Sequence, residues 1–93
     1  MEIELHPKAL KDKAFWKTSG NKQVIKKIDD LVDDIMLHPE TGLGKPEQLK
    51  HELAGLWSRR INDEHRIVYE VLNNKLHIVS LKGHYDTTHL TGY

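Results

Sequence analysis

The chain has 93 residues, 14 basic and 14 acidic side chains, and no cysteine. That length suits one domain, with a core small enough to leave it marginally stable without a partner. A global basic excess, a disulfide framework, a thiolate nucleophile and a thiolate metal site are excluded, and no apolar run is long enough to span a bilayer. The opening MEIELHPKAL lacks the apolar core of a signal peptide, so a soluble, cytoplasmic protein is expected.

Glu2 to Leu5 alternates and reads as a short strand. Pro7 suits a first helical position, and Pro7 to Thr18 sets Leu10, Ala14, Phe15 and Trp16 among lysines, an amphipathic helix. Ser19, Gly20 and Asn21 break it. A second helix is expected from Lys22 to Leu37, where Val24, Ile28, Leu31 and Ile35 recur at three- and four-residue steps. His38-Pro39 ends it, because a residue before proline is pushed out of the helical region. TGLGKP, residues 41 to 46, is a loop. EQLKHEL then alternates like a strand, Ala54-Gly55 turns, and Trp57 to Ile61 and Arg66 to Leu72 are strands. Asn73-Asn74 signals a hairpin, and Lys75 to Gly83 closes the set.

One strand, two helices and four strands in a meander predict an α+β fold. It is an antiparallel sheet of about five strands with both N-terminal helices on one face. One domain spans residues 1–85, and residues 86–93, DTTHLTGY, form a C-terminal tail.

Charge is segregated. Seven lysines and one acid, Asp12, lie between Lys8 and Lys27, followed by Asp29, Asp30, Asp33, Asp34 and Glu40 without a base. This marks either a basic surface for phosphate backbones or an ordinary solvated helix face.

If the turn after Trp57–Ile61 centres on Asp63, Arg60 and Arg66 face each other on paired strands. Like charges so placed repel, which invites an anion between them. Glu47, Lys50, Arg60, Glu64, Arg66, His84 and Tyr85 are candidates for the sheet face turned from the helices. A glutamate can take a proton, a histidine can give one, and an arginine fork grips phosphate oxygens. Such a set suits metal-free cleavage of RNA through attack of the ribose 2′-hydroxyl on the adjacent phosphate. The same residue types are also common on solvated strand faces, where exposed ion pairs contribute only about 0–1 kcal/mol. Trp57 and Tyr69 read as packing residues, and His51, His65 and His77 as ordinary strand histidines. The seven histidines show no paired ligand spacing on a helix, and no metal site or cofactor is expected.

The block GKPEQLKHELAGLWSRRINDEHRIVYEV, residues 44 to 71, followed by a last strand ending in His84-Tyr85, resembles the YoeB toxins of the RelE-like superfamily. The resemblance begins at VIKKIDDL, residues 24 to 31. It implies the toxin of a type II toxin–antitoxin system, a metal-independent, ribosome-associated endoribonuclease that cuts mRNA and inhibits translation. It implies catalytic roles for Glu47 as base, His84 as acid and Arg66 at the transition state. Lys50 and Arg60 match phosphate-binding or supporting positions, and Tyr85 a residue that orients RNA. Expected partners are a cognate YefM-like antitoxin, mRNA, ribosomal RNA against the lysine-rich surface, and a second copy in a homodimer. The alternative is a non-catalytic toxin on the same fold, like the gyrase-inhibiting ParE-like proteins. The family's His-Tyr pair usually lies at or near the chain end, whereas here eight residues follow it.

Overall fold

The computed structural model describes residues 1–84. The elements are β1 (Glu2–Leu5), α1 (Pro7–Ser19), α2 (Lys22–Leu37), β2 (Glu47–Gln48), β3 (Trp57–Arg60), β4 (Arg66–Leu72) and β5 (Lys75–Ser80). Tyr85 and the expected tail lie outside the described residues. Among those described, no helix is long and apolar enough to cross a membrane.

Local chemistry explains the boundaries. Gly20 closes α1 in the left-handed region, φ 70°, at little cost because it has no Cβ. Asn21 then caps α2 by accepting from the Val24 N–H at 3.1 Å. Asn73 and Asn74 both have positive φ, as the tight turn between β4 and β5 requires.

The five strands lie in the order β1-β5-β4-β3-β2. The sheet is mixed, not wholly antiparallel, because β1 pairs with β5 in parallel. The crossover through α1 and α2 carries the chain from β1 to the opposite edge, and the meander β2 to β5 then returns to pair with β1, which a reading of local hairpins does not reveal. The expected strand EQLKHEL is also shorter than its alternation suggests. It forms the two-residue β2 and then a 3₁₀ turn, His51–Leu53. His51 there has φ 59°, which an extended strand cannot accommodate.

Ala9, Trp16, Leu31, Ile35, Ile67, Tyr69, Leu76 and Ile78 join in one core between the helices and one sheet face. A charged residue sits among them. Arg59 of β3 is 0% exposed and reaches α2 and the loop after it. Its guanidinium donates to Asp34 Oδ2 at 2.5 Å, Leu43 O at 3.1 Å, Thr41 O at 2.8 Å and His38 O, and its Nε donates to the Tyr69 hydroxyl at 3.0 Å. The Tyr69 hydroxyl in turn donates a hydrogen bond to Pro39 O at 2.7 Å. Burial pushes the Tyr69 hydroxyl above its ordinary pKa, against the pull of Arg59.

This network ties residues 38–43 to the sheet. Gly42 fits because its φ is 110° and a Cβ there would stand 2.1 Å from Asp34 Oδ2. That carboxylate cannot swing away without leaving Arg59 and the Leu43 N–H. Gly42→Ala should therefore lower stability by about 1–3 kcal/mol, read as a fall in melting temperature.

The hydrogen bond from the Leu43 N–H and the Arg59 guanidinium hold the Asp34 carboxyl below its ordinary pKa. Its stabilising contribution is full above the unfolded-state value near 3.8 and is lost as pH falls through the lower folded value. In urea titrations from about pH 5 down to about pH 2, Asp34→Asn should be less stable at the upper end and show a shallower acid-side decline.

Candidate active site

The register of β2, β3 and β4 builds the site. Glu47 pairs with Ser58, Ser58 with Val68, and Arg60 with Arg66. Directly opposed residues of antiparallel strands share a face. Arg59, between Ser58 and Arg60, points to α2, so Glu47, Ser58, Arg60, Arg66 and Val68 take the opposite face. The expected opposition of Arg60 and Arg66 is present.

That face is not uniformly solvated, as expected from alternation alone. Ser58, Val68 and Arg66 are buried, while Glu47, Lys50 and Arg60 are exposed. β4 is the central strand, so its side chains are flanked on both sides. Arg66 is only 6% exposed, and its Nη1 donates to Asn62 O at 2.8 Å and His65 O at 3.2 Å. The two arginines thus divide their surroundings: one is fixed to backbone carbonyls and the other stands in solvent. Glu64 does not join them, since its side chain is 85% exposed in the turn, 4.0 Å from His65.

The residue before His84 is tied to Arg66 through the backbone. The Arg66 N–H donates to Gly83 O at 2.8 Å, and the Gly83 N–H donates to His65 Nδ1 at 3.1 Å. On the other side, α1 holds the bend after β5. Asp12 Oδ2 accepts from Leu81 N–H at 3.0 Å, from Ser80 Oγ at 3.3 Å and from Lys8 Nζ at 2.7 Å. The Trp16 indole donates to Leu81 O at 2.9 Å. Asp12, the lone acid among the lysines, is thus a fastener for the segment that carries His84. His65, read as an ordinary strand histidine, is the second fastener. The sequence signal for Asp12 was its isolation; His65 offered none.

Glu47 and Lys50 are fixed from the loop side. The Arg60 N–H donates to Gly44 O at 2.6 Å and the Leu49 N–H to Leu56 O at 2.9 Å, with Leu49 buried. The backbone on either side of the exposed carboxylate is therefore pinned, and Arg59 secures the same loop further upstream. Tyr85 lies outside the described residues.

The lysine-rich surface is narrower than its composition suggests. Lys8 is engaged with Asp12, Ser80 Oγ and Lys82 O, and Lys26 pairs with Asp30 at 3.1 Å. A hollow of about 680 Å³ lies on the helix side, lined by residues that include Trp16, Ile25, Ile28, Val32 and Ile78. It touches none of Glu47, Arg66 or His84, and Lys13, Lys17, Asp29 and Asp33 border its apolar floor.

Residues 5–85 match the family of YoeB-like toxins of bacterial type II toxin–antitoxin systems. The chain belongs to the YoeB toxin family. Toxin YoeB of Escherichia coli K12 is 46% identical over 74 residues, which cover 80% of this chain and 87% of that protein. Among solved structures, a YoeB/ParE toxin from Agrobacterium tumefaciens superposes with a TM-score of 0.87 at 38% identity, covering 91% of this chain and all of the other. YoeB in a YoeB–YefM complex from Staphylococcus aureus superposes with a TM-score of 0.82 at 43% identity, covering 91% and 98%. The α+β arrangement of two helices on one five-stranded sheet is therefore that of YoeB- and RelE-like toxins.

Proposed function

We propose that this YoeB-family toxin is an endoribonuclease that cuts mRNA on the ribosome without a metal. The observation that supports the reading is the register that sets Glu47, Arg60 and Arg66 on one face, together with the backbone bond that ties Gly83, the residue before His84, to Arg66. Glu47 takes the proton from the ribose 2′-hydroxyl, and that oxygen attacks its own 3′-phosphate. Arg66, held by two carbonyls, meets the charge that builds on the phosphorane oxygens with little reorganisation. His84 gives a proton to the departing 5′-oxygen, leaving a 2′,3′-cyclic phosphate and a 5′-hydroxyl. Lys50 and Arg60, both exposed, bind the phosphate backbone, and Tyr85 orients the RNA.

A YefM-like antitoxin is the partner that holds the toxin inactive, and a homodimer is an assembly of the free toxin. Ribosomal RNA meets the remaining lysines of the Lys8–Lys27 surface. Primer extension on a defined message, with and without ribosomes, tests enzyme class, substrate and ribosome dependence together. Cleavage within the translated frame is expected with ribosomes, and weaker cleavage of the same message without them. Intact message under both conditions, with inhibited DNA supercoiling, would favour the ParE-like reading.

A further inference from the structure

The parallel pairing of β1 with β5 brings together three ligand-type residues that are far apart in the chain. Glu4 is the register partner of His77, and His6 follows at the end of β1. The His6 N–H donates to Ile78 O at 2.9 Å, which fixes its backbone beside β5. His6 Nε2 lies 3.1 Å from His77 Nδ1. Glu4 Oε2 is 3.8 Å from each of these nitrogens.

We propose that Glu4, His6 and His77 form a binding site for one divalent transition-metal ion, with zinc the best fit. Two ligands of a tetrahedral zinc, each about 2.0–2.1 Å from the ion, stand roughly 3.4 Å apart. The observed separations bracket that value, so rotations of a few tenths of an ångström close the set. Two imidazoles and one carboxylate are borderline donors that suit zinc better than magnesium or calcium. Three protein ligands leave the fourth position to water.

The surrounding charge agrees. Lys75 Nζ holds the other carboxylate oxygen, Glu4 Oε1, at 3.3 Å and lies 3.8 Å from Glu2, which leaves Oε2 for the ion. Glu70 pairs with His77 from the neighbouring strand. Glu2 and Glu70 thus add negative charge on the neighbouring strand positions against the one ammonium of Lys75.

β1 and β2 are opposite edges of the sheet, so the ion takes no part in RNA chemistry. It fastens the edge strand β1 and the entry to α1 onto β5. A simpler occupant of the 3.1 Å gap is a proton shared between the two rings, and the two occupants exclude each other because a metal needs both nitrogen lone pairs.

Untagged protein stripped with a chelator should be titrated with Zn²⁺ against a chromophoric competitor. Binding of one ion per chain is expected, with a rise in melting temperature. Loss of an outer-shell partner typically weakens a metal site by about 10–100-fold, so His6→Ala and His77→Ala, which remove direct ligands, should each lower affinity by at least that much. Each should also abolish the thermal shift, and Glu4→Gln should weaken binding less. His6 is half-exposed, so His6→Ala should fold even if His77→Ala does not. In the unaltered protein, Zn²⁺ should move the imidazole NMR signals of His6 and His77 together. Absence of binding, or wild-type affinity in His6→Ala, would overturn the proposal.

Discussion

Glu47→Gln and His84→Gln should each reduce the rate of RNA cleavage by about 10²–10⁴-fold, the range typical of a lost general base or acid. Glu47 is exposed on an edge strand of two residues, so its amide should change stability by no more than about 0.5 kcal/mol. The loss then belongs to chemistry and not to folding. The matching cellular result is relief of growth arrest with normal protein levels. Full toxicity in both variants would remove these residues from their roles. The two arginines should separate kinetically. Arg66→Lys should lower the rate at saturating substrate, because a point charge replaces a planar fork held by Asn62 and His65 carbonyls. Arg60→Ala should chiefly raise the substrate requirement.

Arg59→Ala should have the largest effect on folding of any single strand substitution, about 3–5 kcal/mol. The side chain is fully buried, and its removal strands the carbonyls of His38, Thr41 and Leu43 together with the Asp34 carboxylate. For a domain of this length, each kcal/mol corresponds to about 4–8 °C in melting temperature. Arg59→Lys should recover only part of the loss, since an ammonium cannot reach Tyr69, Asp34 and three carbonyls with one planar set of donors. A wild-type melting temperature in Arg59→Ala would show that the 38–43 loop does not depend on this network.

The contrast between Arg59 and Arg60 shows where sequence legibility ended. Both lie in WSRR, and alternation places them on opposite faces. A helix-facing position normally asks for an apolar residue, yet Arg59 is tolerated there because Asp34, Tyr69 and loop carbonyls satisfy it. Those partners lie 10 to 25 residues away in the chain. Helix α2, by contrast, was legible to both ends, since its apolar stripe, the Ser19-Gly20-Asn21 break before it and the His38-Pro39 stop are local signals. The hairpin turn at Asn73-Asn74 and the pairing of Arg60 with Arg66 were legible for the same reason. The parallel partner of β1 was not, because the pairing closes only after both helices and three intervening strands. The cluster of Glu4, His6 and His77 depends on that pairing and escaped with it. The roles of Asp12 and His65 became visible only when the bend after β5 was placed between them.

The candidate site was legible as a set of residue types, and a specific motif block tied those types to positions. Its arrangement is a matter of register: a one-residue slip between β3 and β4 would send Arg66 to the helix side and separate it from Arg60 and Glu47. The fasteners at Asp12, Trp16 and His65 fix the approach of His84 in the same way.

The chemistry of the cut ends tests the central claim most directly. A defined mRNA should be cleaved by the purified toxin on ribosomes, and the termini identified by mass spectrometry, with cleavage of a short RNA by the free protein repeated in EDTA. An upstream fragment ending in a 2′,3′-cyclic phosphate or its 3′-phosphate hydrolysis product, a downstream fragment beginning with a 5′-hydroxyl, and any free-protein cleavage unaffected by the chelator are expected. An upstream fragment ending in a free 3′-hydroxyl would contradict attack by the 2′-oxygen, and with it the roles assigned to Glu47, Arg66 and His84.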